Sequence, residues 1–437
     1  MTRPAVLAAL LAAGAASAAS PALAAPALLA HQAPLALDPA ATAWVLTSTA
    51  LVLLMTLPGL ALFYGGMVRK KNIISVIAQS AAAFAIVSVL WFLVGYSLSF
   101  GKGPDAVNGF VGGLQAAFLN GVTMQTAHSL LPGLPELLFV SFQMTFAIIT
   151  PALIAGAFAE RMKFSASLLF FALWHLIVYA PICHQVWGGG YLGSLGVLDF
   201  AGGAVVHVNA GVAGLVCALV LGPRHGFGRD NMAPANLVYS AIGTGLLLVG
   251  WLGFNAGSAG AADALAATAA FNTILAAGAA ALGWMTVEWF DRRRPTLLGL
   301  LSGVVGGLVA ITPAAGFVDP KGAFFIGLIA GPACYAGAVW LKHALKYDDS
   351  LDAFGVHGVG GIVGALLTGV FATTSVNALS EGASVWKQAL GLGGAIVWSA
   401  VGTFVVLMIC KFTTGLRVTK DQEVEGLDYT QHGEAIH

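Results

Sequence analysis

Long apolar runs separated by short polar connections dominate this chain. A helix needs about 20 apolar residues to cross a hydrocarbon core about 30 Å thick. Eleven runs meet that length, at 42–64, 73–99, 136–158, 164–184, 201–222, 235–257, 265–289, 297–316, 323–345, 353–374 and 388–413. The basic residues alternate across them. With the start of the first run outside, fifteen of the 19 basic residues fall inside: Arg69, Lys70, Lys71, Arg161, Lys163, Arg224, Arg229, Arg292, Arg293, Arg294, Lys342, Lys346, Lys411, Arg417 and Lys420. Lys102, Lys321 and Lys387 fall outside, and Arg3 precedes the first run. Basic residues concentrate on the inner side of a membrane. The pattern therefore predicts an all-α membrane protein of eleven transmembrane helices, N-terminus out and C-terminus in.

Two of these runs match each other. The fifth follows Asp199 and contains Val206-His207, with Gly211 and Gly214 following at +4 and +7. The tenth follows Asp352 and contains Val356-His357, with Gly361 and Gly364 at the same offsets. Five helices per unit is an odd number, so the second unit is inverted relative to the first. The expectation is an inverted five-plus-five repeat with an eleventh helix left over, and transporters of this build place their path where the repeats meet.

The ends of the chain are read separately. Arg3, the short apolar stretch 5–16 and Ala22-Leu23-Ala24 have the form of a secretory signal peptide over 1–24. Pro21 and Pro26 argue against an uncleaved first helix. A membrane domain is expected over 42–415 and a cytoplasmic tail over 416–437. Composition acts mainly by exclusion. Hydrophobic residues make up 58% and charged residues 9%, and the net charge is zero, so nothing favours nucleic acid. The 56 glycines suit close helix approach in lipid. Cys183, Cys217, Cys334 and Cys410 are scattered, with neither a disulfide framework nor a metal-ligand cluster.

Candidate chemistry centres on histidine and aromatic residues. A histidine in a lipid-spanning helix is costly and needs a reason. For His175 packing is reason enough. His207 and His357 obey the internal symmetry and are expected to meet near mid-membrane, where imidazoles can exchange hydrogen bonds and shuttle protons. Axial ligation of a haem is the competing use of such a pair, although the spans hold no second histidine pair for an electron path. Phe142 and Phe146 share one face of the third helix, Trp187 follows the fourth, and Trp251, Phe254 and Ser258 lie toward the end of the sixth. Interfacial aromatic belts explain this spacing as well as a cation–π cup does. Asp199 serves either as a helix cap or as an acid facing a ligand. Asp348, Asp349 and Asp352 are read as caps and surface charges on the inner side.

With these residues in view, the chain resembles ammonium transporters of the Amt/Rh family, on the bacterial Amt side. The resemblance spans about residues 42–434. It is carried by Leu62-Phe63-Tyr64-Gly65-Gly66, Ala159-Glu160-Arg161, Trp187 with its three glycines, Asp199-Phe200 with His207, Gly253 to Gly260, and Phe354 to Gly358. Gly415 to Arg417, Glu425 to Asp428 and His432 to Glu434 extend it into the tail. The resemblance implies a transporter rather than an enzyme, without cofactor or metal, in the bacterial inner membrane. It implies a homotrimer with one pore per subunit and a PII-type signal protein at the cytoplasmic face. By the matching motifs, Phe142, Phe146, Trp187 and Ser258 bind ammonium outside, Phe146 and Phe254 form a gate, His207 and His357 line the pore, and Asp199 is the acid near the vestibule. The alternatives are an Rh-type ammonia/CO2 channel, an ammonium sensor and, last, a haem protein.

Overall fold

The computed structural model describes residues 36–436. The expected signal peptide lies outside the described residues. Every regular element among the described residues is helical, and the only extended pairings there are two isolated bridges, Met162–Arg417 and Val318–Ala372. In chain order the helices are α1 Pro39–Met67, α2 Lys70–Phe100, α3 Glu136–Phe158, α4 Phe164–Ser194, α5 Gly203–Leu221, α6 Leu237–Gly257, α7 Ala264–Arg292, α8 Leu297–Ile311, α9 Pro320–Leu345, α10 Phe354–Phe371 and α11 Val385–Thr413. A short helix, α12 Lys420–Glu425, follows in the tail.

Ten of these are long and apolar enough to cross a membrane, and α8 is shorter. The apolar run at 297–316 predicted a full-length eighth helix. It stops at Ile311 because Pro313 cannot continue it. The 15-residue helix is about 22 Å long at 1.5 Å per residue. Residues 312–318 continue as turns, largely buried in protein, which is where non-helical backbone can exist at membrane depth.

Polar residues at the helix starts set the boundaries. Asp38, Asn236, Asp263, Thr296, Asp319 and Ser384 each accept a backbone N–H from the first turn of α1, α6, α7, α8, α9 and α11. Several helices contain a wide π turn, and two of these matter most. Gly203–Val208 opens α5 and holds His207, while Phe354–Gly358 opens α10 and holds His357. The two helices cross where Gly211 meets Gly358. A Cβ on Gly211 would lie 2.2 Å from the Gly358 nitrogen, so only glycine permits this approach.

The segment after α11 lies along one end of the bundle. Lys163 donates its backbone N–H to Leu416 (2.9 Å), Leu427 donates to Asn72 (2.9 Å), and Asp428 accepts from Ser75 in the first turn of the α-helical part of α2 (2.8 Å).

Candidate functional site

Elements from both halves build the site. Its first part is a cavity of about 370 Å³, lined by Phe142 of α3, Trp187 of α4, Asp199, Phe200 and Ser258 among others. The Trp187 indole N–H donates to the Asp199 carbonyl (2.8 Å), which fixes the ring. The Ser258 hydroxyl donates to the Phe254 carbonyl (2.7 Å), so its oxygen keeps lone pairs for another donor. Of the four residues assigned to the cup from sequence, Phe142, Trp187 and Ser258 line this cavity. Phe146 lies beyond its lining, 1% exposed, edge-on to both Phe142 (5.0 Å) and Trp187 (6.0 Å).

From there the rings continue in file. Phe146 stacks on Phe254 at 4.2 Å, the Phe254 and His207 centroids are 5.9 Å apart, and those of His207 and His357 are 5.3 Å apart with 14° between the planes. Trp251 is also near-parallel to His207, with centroids 5.3 Å apart. The two histidines do meet, with their ring planes nearly parallel. Both nitrogens of His207 and Nδ1 of His357 are buried without a hydrogen-bond partner. Buried polar atoms rarely stay unpartnered, so this region offers hydrogen bonds to a small polar guest. Two axial haem ligands would each aim a nitrogen at a shared iron. With centroids only 5.3 Å apart, the two rings leave no room for a macrocycle between them.

The carboxylate of Asp199 is fully engaged. It accepts N–H groups from Gly202 (2.8 Å), Gly203 (2.6 Å), Ala204 (2.8 Å) and Val205 (3.1 Å) at the head of α5. Burial raises its pKa from the ordinary value, and these four bonds pull against that shift.

The sequence reading counted Asp349 among the inner-side caps, which it is, but did not match it to Asp199. Asp349 accepts from Ala353 (3.0 Å) and Phe354 (2.7 Å) at the head of α10. It stands eight residues before His357, as Asp199 stands eight before His207. That spacing was a readable signal, whereas pairing Asp199 with Asp352 hid it. Asp352 instead sits at φ +59° and pairs with Lys342. Asp348 is not a surface charge either. It is 1% exposed and binds Arg224 (2.8 Å), which also reaches Glu160 (3.3 Å), itself paired with Arg69 (2.6 Å). Burial works against these ions, but Arg224 and Arg69 hold the Glu160 carboxyl below its ordinary pKa, and Arg224 and Arg161 do the same for Asp348. His175 is remote from the file of rings, buried and stacked on Tyr179 at 5.6 Å, consistent with a packing role.

Helices of spanning length around a buried file of aromatic and histidine rings mark a multi-pass membrane protein. The sequence profile of the Ammonium Transporter Family matches residues 43–436. An ammonium transporter of Bacillus subtilis (strain 168) is 49% identical over 401 residues, which are 89% of this chain and 96% of that protein. One from Aquifex aeolicus (strain VF5) is 48% identical over 407 residues, covering 92% and 94%. Among solved structures, Saccharomyces cerevisiae Mep2 superposes with a TM-score of 0.82 at 38% identity, over 88% of this chain and 89% of that one. A structure described as a sensor Amt protein gives 0.82 at 31% identity, over 90% and 98%. This chain belongs to the ammonium transporter family.

Proposed function

We propose that the protein takes up ammonium at the Trp187 cavity, strips it of a proton and passes ammonia along the ring file. The observation that carries this reading is the file itself: cavity, stacked Phe146–Phe254 and neighbouring His207–His357 in succession. A small cation is attracted to aromatic faces, and Phe142 and Trp187 supply them, with the Ser258 oxygen accepting an ammonium N–H. Beyond the cavity the path is closed by Phe146 and Phe254, which act as the gate. A bare cation in so apolar a space costs tens of kcal/mol by Born solvation. Deprotonating an ammonium of pKa roughly 9–10 costs only about 3–4 kcal/mol at pH 7. The proton therefore leaves the nitrogen before the gate is passed. The unpartnered nitrogens of His207 and His357 then bond the ammonia and can carry the proton. Asp199 holds the mouth in shape and draws cations toward it.

The same reading sets the protein in its membrane. α8 is the eighth of eleven crossings, completed by the buried turns at 312–318, and the inverted repeat follows from the matched heads of α5 and α10. The N-terminus lies outside and the C-terminus inside, in a bacterial inner membrane, with residues 1–24 as a signal peptide, 42–415 as the membrane domain and 416–437 as a cytoplasmic tail. The assembly is a homotrimer, and a PII-type protein binds the tail and the loops beside it.

The test is ammonium-driven current and ammonia flux, with a potassium control, in liposomes carrying wild type, His207→Ala, His357→Ala or His207→Asp. The alanine variants are expected to change how the proton moves, and the acid to admit potassium. Unaltered current, flux and selectivity in all three would remove the histidines from the path.

A further inference from the structure

Behind the wall of the Trp187 cavity stands a histidine that the transport scheme does not use. His128 belongs to the segment 101–135 between α2 and α3. Its ring lies flat on Phe139, with centroids 4.3 Å apart and 7° between the planes, and edge-on to Phe100 at 5.6 Å. Phe100 and Phe139 touch each other at 4.9 Å, and both line the cavity. His128 also reaches the cavity through the backbone. Its Nδ1 accepts the N–H of Leu130 (3.2 Å), and Leu130 and Leu131 are further lining residues. Leu131 in turn covers Gly260, two residues past Ser258, where a Cβ would come within 2.3 Å of its methyl.

That accepted bond fixes the proton. Nδ1 can take an N–H only when it carries no hydrogen, so the ring is neutral here, with its proton on Nε2. Protonation would set two donors against each other at Leu130 and place a positive charge one ring behind the cavity wall. We propose that His128 is a positioning residue of the cation cavity and that its protonation weakens cation capture. It does so by loosening the Leu130–Leu131 wall and by repelling the incoming charge. The proposal rests on the reading of this cavity as the ammonium site.

Few other groups can interfere. From α3, Glu136 faces His128, with its carboxylate accepting the Tyr96 hydroxyl of α2 (2.8 Å). α2 otherwise offers Phe100 to the ring, with Lys102 two residues further along the chain. Stretch 121–135 carries no other titratable side chain. Asp199 lines the same cavity but is held by four backbone N–H groups. Burial lowers the His128 pKa from its ordinary value, and Glu136 pulls the other way. The imidazole therefore charges on the acid side of its usual range.

The experiment measures ammonium-driven current against ammonium concentration at external pH 7.5, 6 and 5. Ammonium stays almost wholly protonated throughout, its pKa of roughly 9–10 lying well above this window. In wild type, the half-saturating concentration should rise about fourfold from pH 7.5 to pH 5, the size expected of a like charge close by in partly wet surroundings. Maximal current should change little. His128→Asn keeps an acceptor for Leu130 and cannot charge, so its half-saturation should not change with pH across the range. A wild type without the rise, or a variant that keeps the wild-type slope, would overturn the proposal. Trp187→Leu run in parallel separates the two readings. If it leaves half-saturation unchanged, the cavity is not the cation site and the parent reading fails. If it weakens capture while His128→Asn follows wild type, only the role of His128 falls.

Discussion

The heads of α5 and α10 make the same use of a carboxylate in different company. Each starts with an acid eight residues before a buried histidine, and each acid caps a wide first turn. Asp199 accepts four backbone N–H groups, next to the aromatic cavity. Asp349 accepts two, and its surroundings are ionic: Lys342 and Asp352 are close, and Arg224, Asp348, Glu160 and Arg69 form a chain of buried pairs nearby. The difference teaches a division of labour. At the aromatic end, on the proposed reading, a cation would meet ring faces and no free carboxylate that would hold it too tightly. At the charged end, ion pairs lock together the loops that follow α1, α3, α5 and α9.

The largest effect should come from breaking the more heavily bonded head. Hydrogen bonds to a charged group contribute about 1.5–3 kcal/mol each. Asp199→Ala removes four and is expected to lose about 6 kcal/mol or more, comparable with the whole stability of a typical domain. Little folded protein and no flux should be recovered. Asp349→Ala removes two and should lose about half as much, giving folded protein with a lower thermal midpoint in detergent. Equal losses would erase the distinction between the heads. Next in size, Arg224→Ala strands Asp348 as a buried anion and leaves Glu160 to Arg69 alone, a change that typically costs about 3–5 kcal/mol. The thermal midpoint should fall while ammonium selectivity of the folded fraction holds. A loss of selectivity with unchanged stability would mean that the charged end does more than hold the frame.

At the aromatic end the expected effect is on affinity. A desolvated cation–π contact is worth about 2 kcal/mol, or roughly thirtyfold in binding. Trp187→Leu should raise the half-saturating ammonium concentration by up to that factor and leave maximal flux much less changed. Flux assays over a concentration series check this, and an unchanged half-saturation would contradict the cup.

Much of the helical frame was legible because lipid forces one rule on the backbone: a span must be a long apolar helix. The His207/His357 pair was legible because a histidine in such a helix is rare and the repeat doubled it. The shortened α8 was less visible. Apolar residues run on past Pro313, and only the buried turn distinguishes span from loop. The ionic end was misread because Asp348 and Arg224 are 124 residues apart in sequence, and no local pattern announces their pairing. Ring geometry was beyond the reach of spacing for a similar reason. The Phe146–Phe254 stack was expected from the family resemblance, not from the pattern of the chain, which only brings Phe146 toward the cavity.

The smallest effect separates the two heads by titration. Burial, with Asp352 adding to it and Lys342 opposing, pushes the Asp349 carboxyl up to about 6. A carboxyl raised above its unfolded value binds its proton more tightly in the folded protein. Its contribution to stability is therefore greatest in acid and is lost as pH rises through about 6. Between pH 5 and 7.5 the loss is about one pKa unit, or roughly 1.4 kcal/mol. Glu160 and Asp348 have depressed values and act with the opposite sign: their contribution is present at neutral pH and disappears only in stronger acid, below the ordinary carboxylate range. Thermal midpoints in detergent across pH 5 to 7.5 read Asp349 through the difference between wild type and a variant that cannot ionise there. Asp349→Asn keeps an acceptor oxygen for the α10 head and cannot ionise. It should match wild type at pH 5 and exceed it at pH 7.5, flattening that part of the profile. If wild type and variant fall in parallel, the two carboxylate heads differ in bonding alone and not in charge.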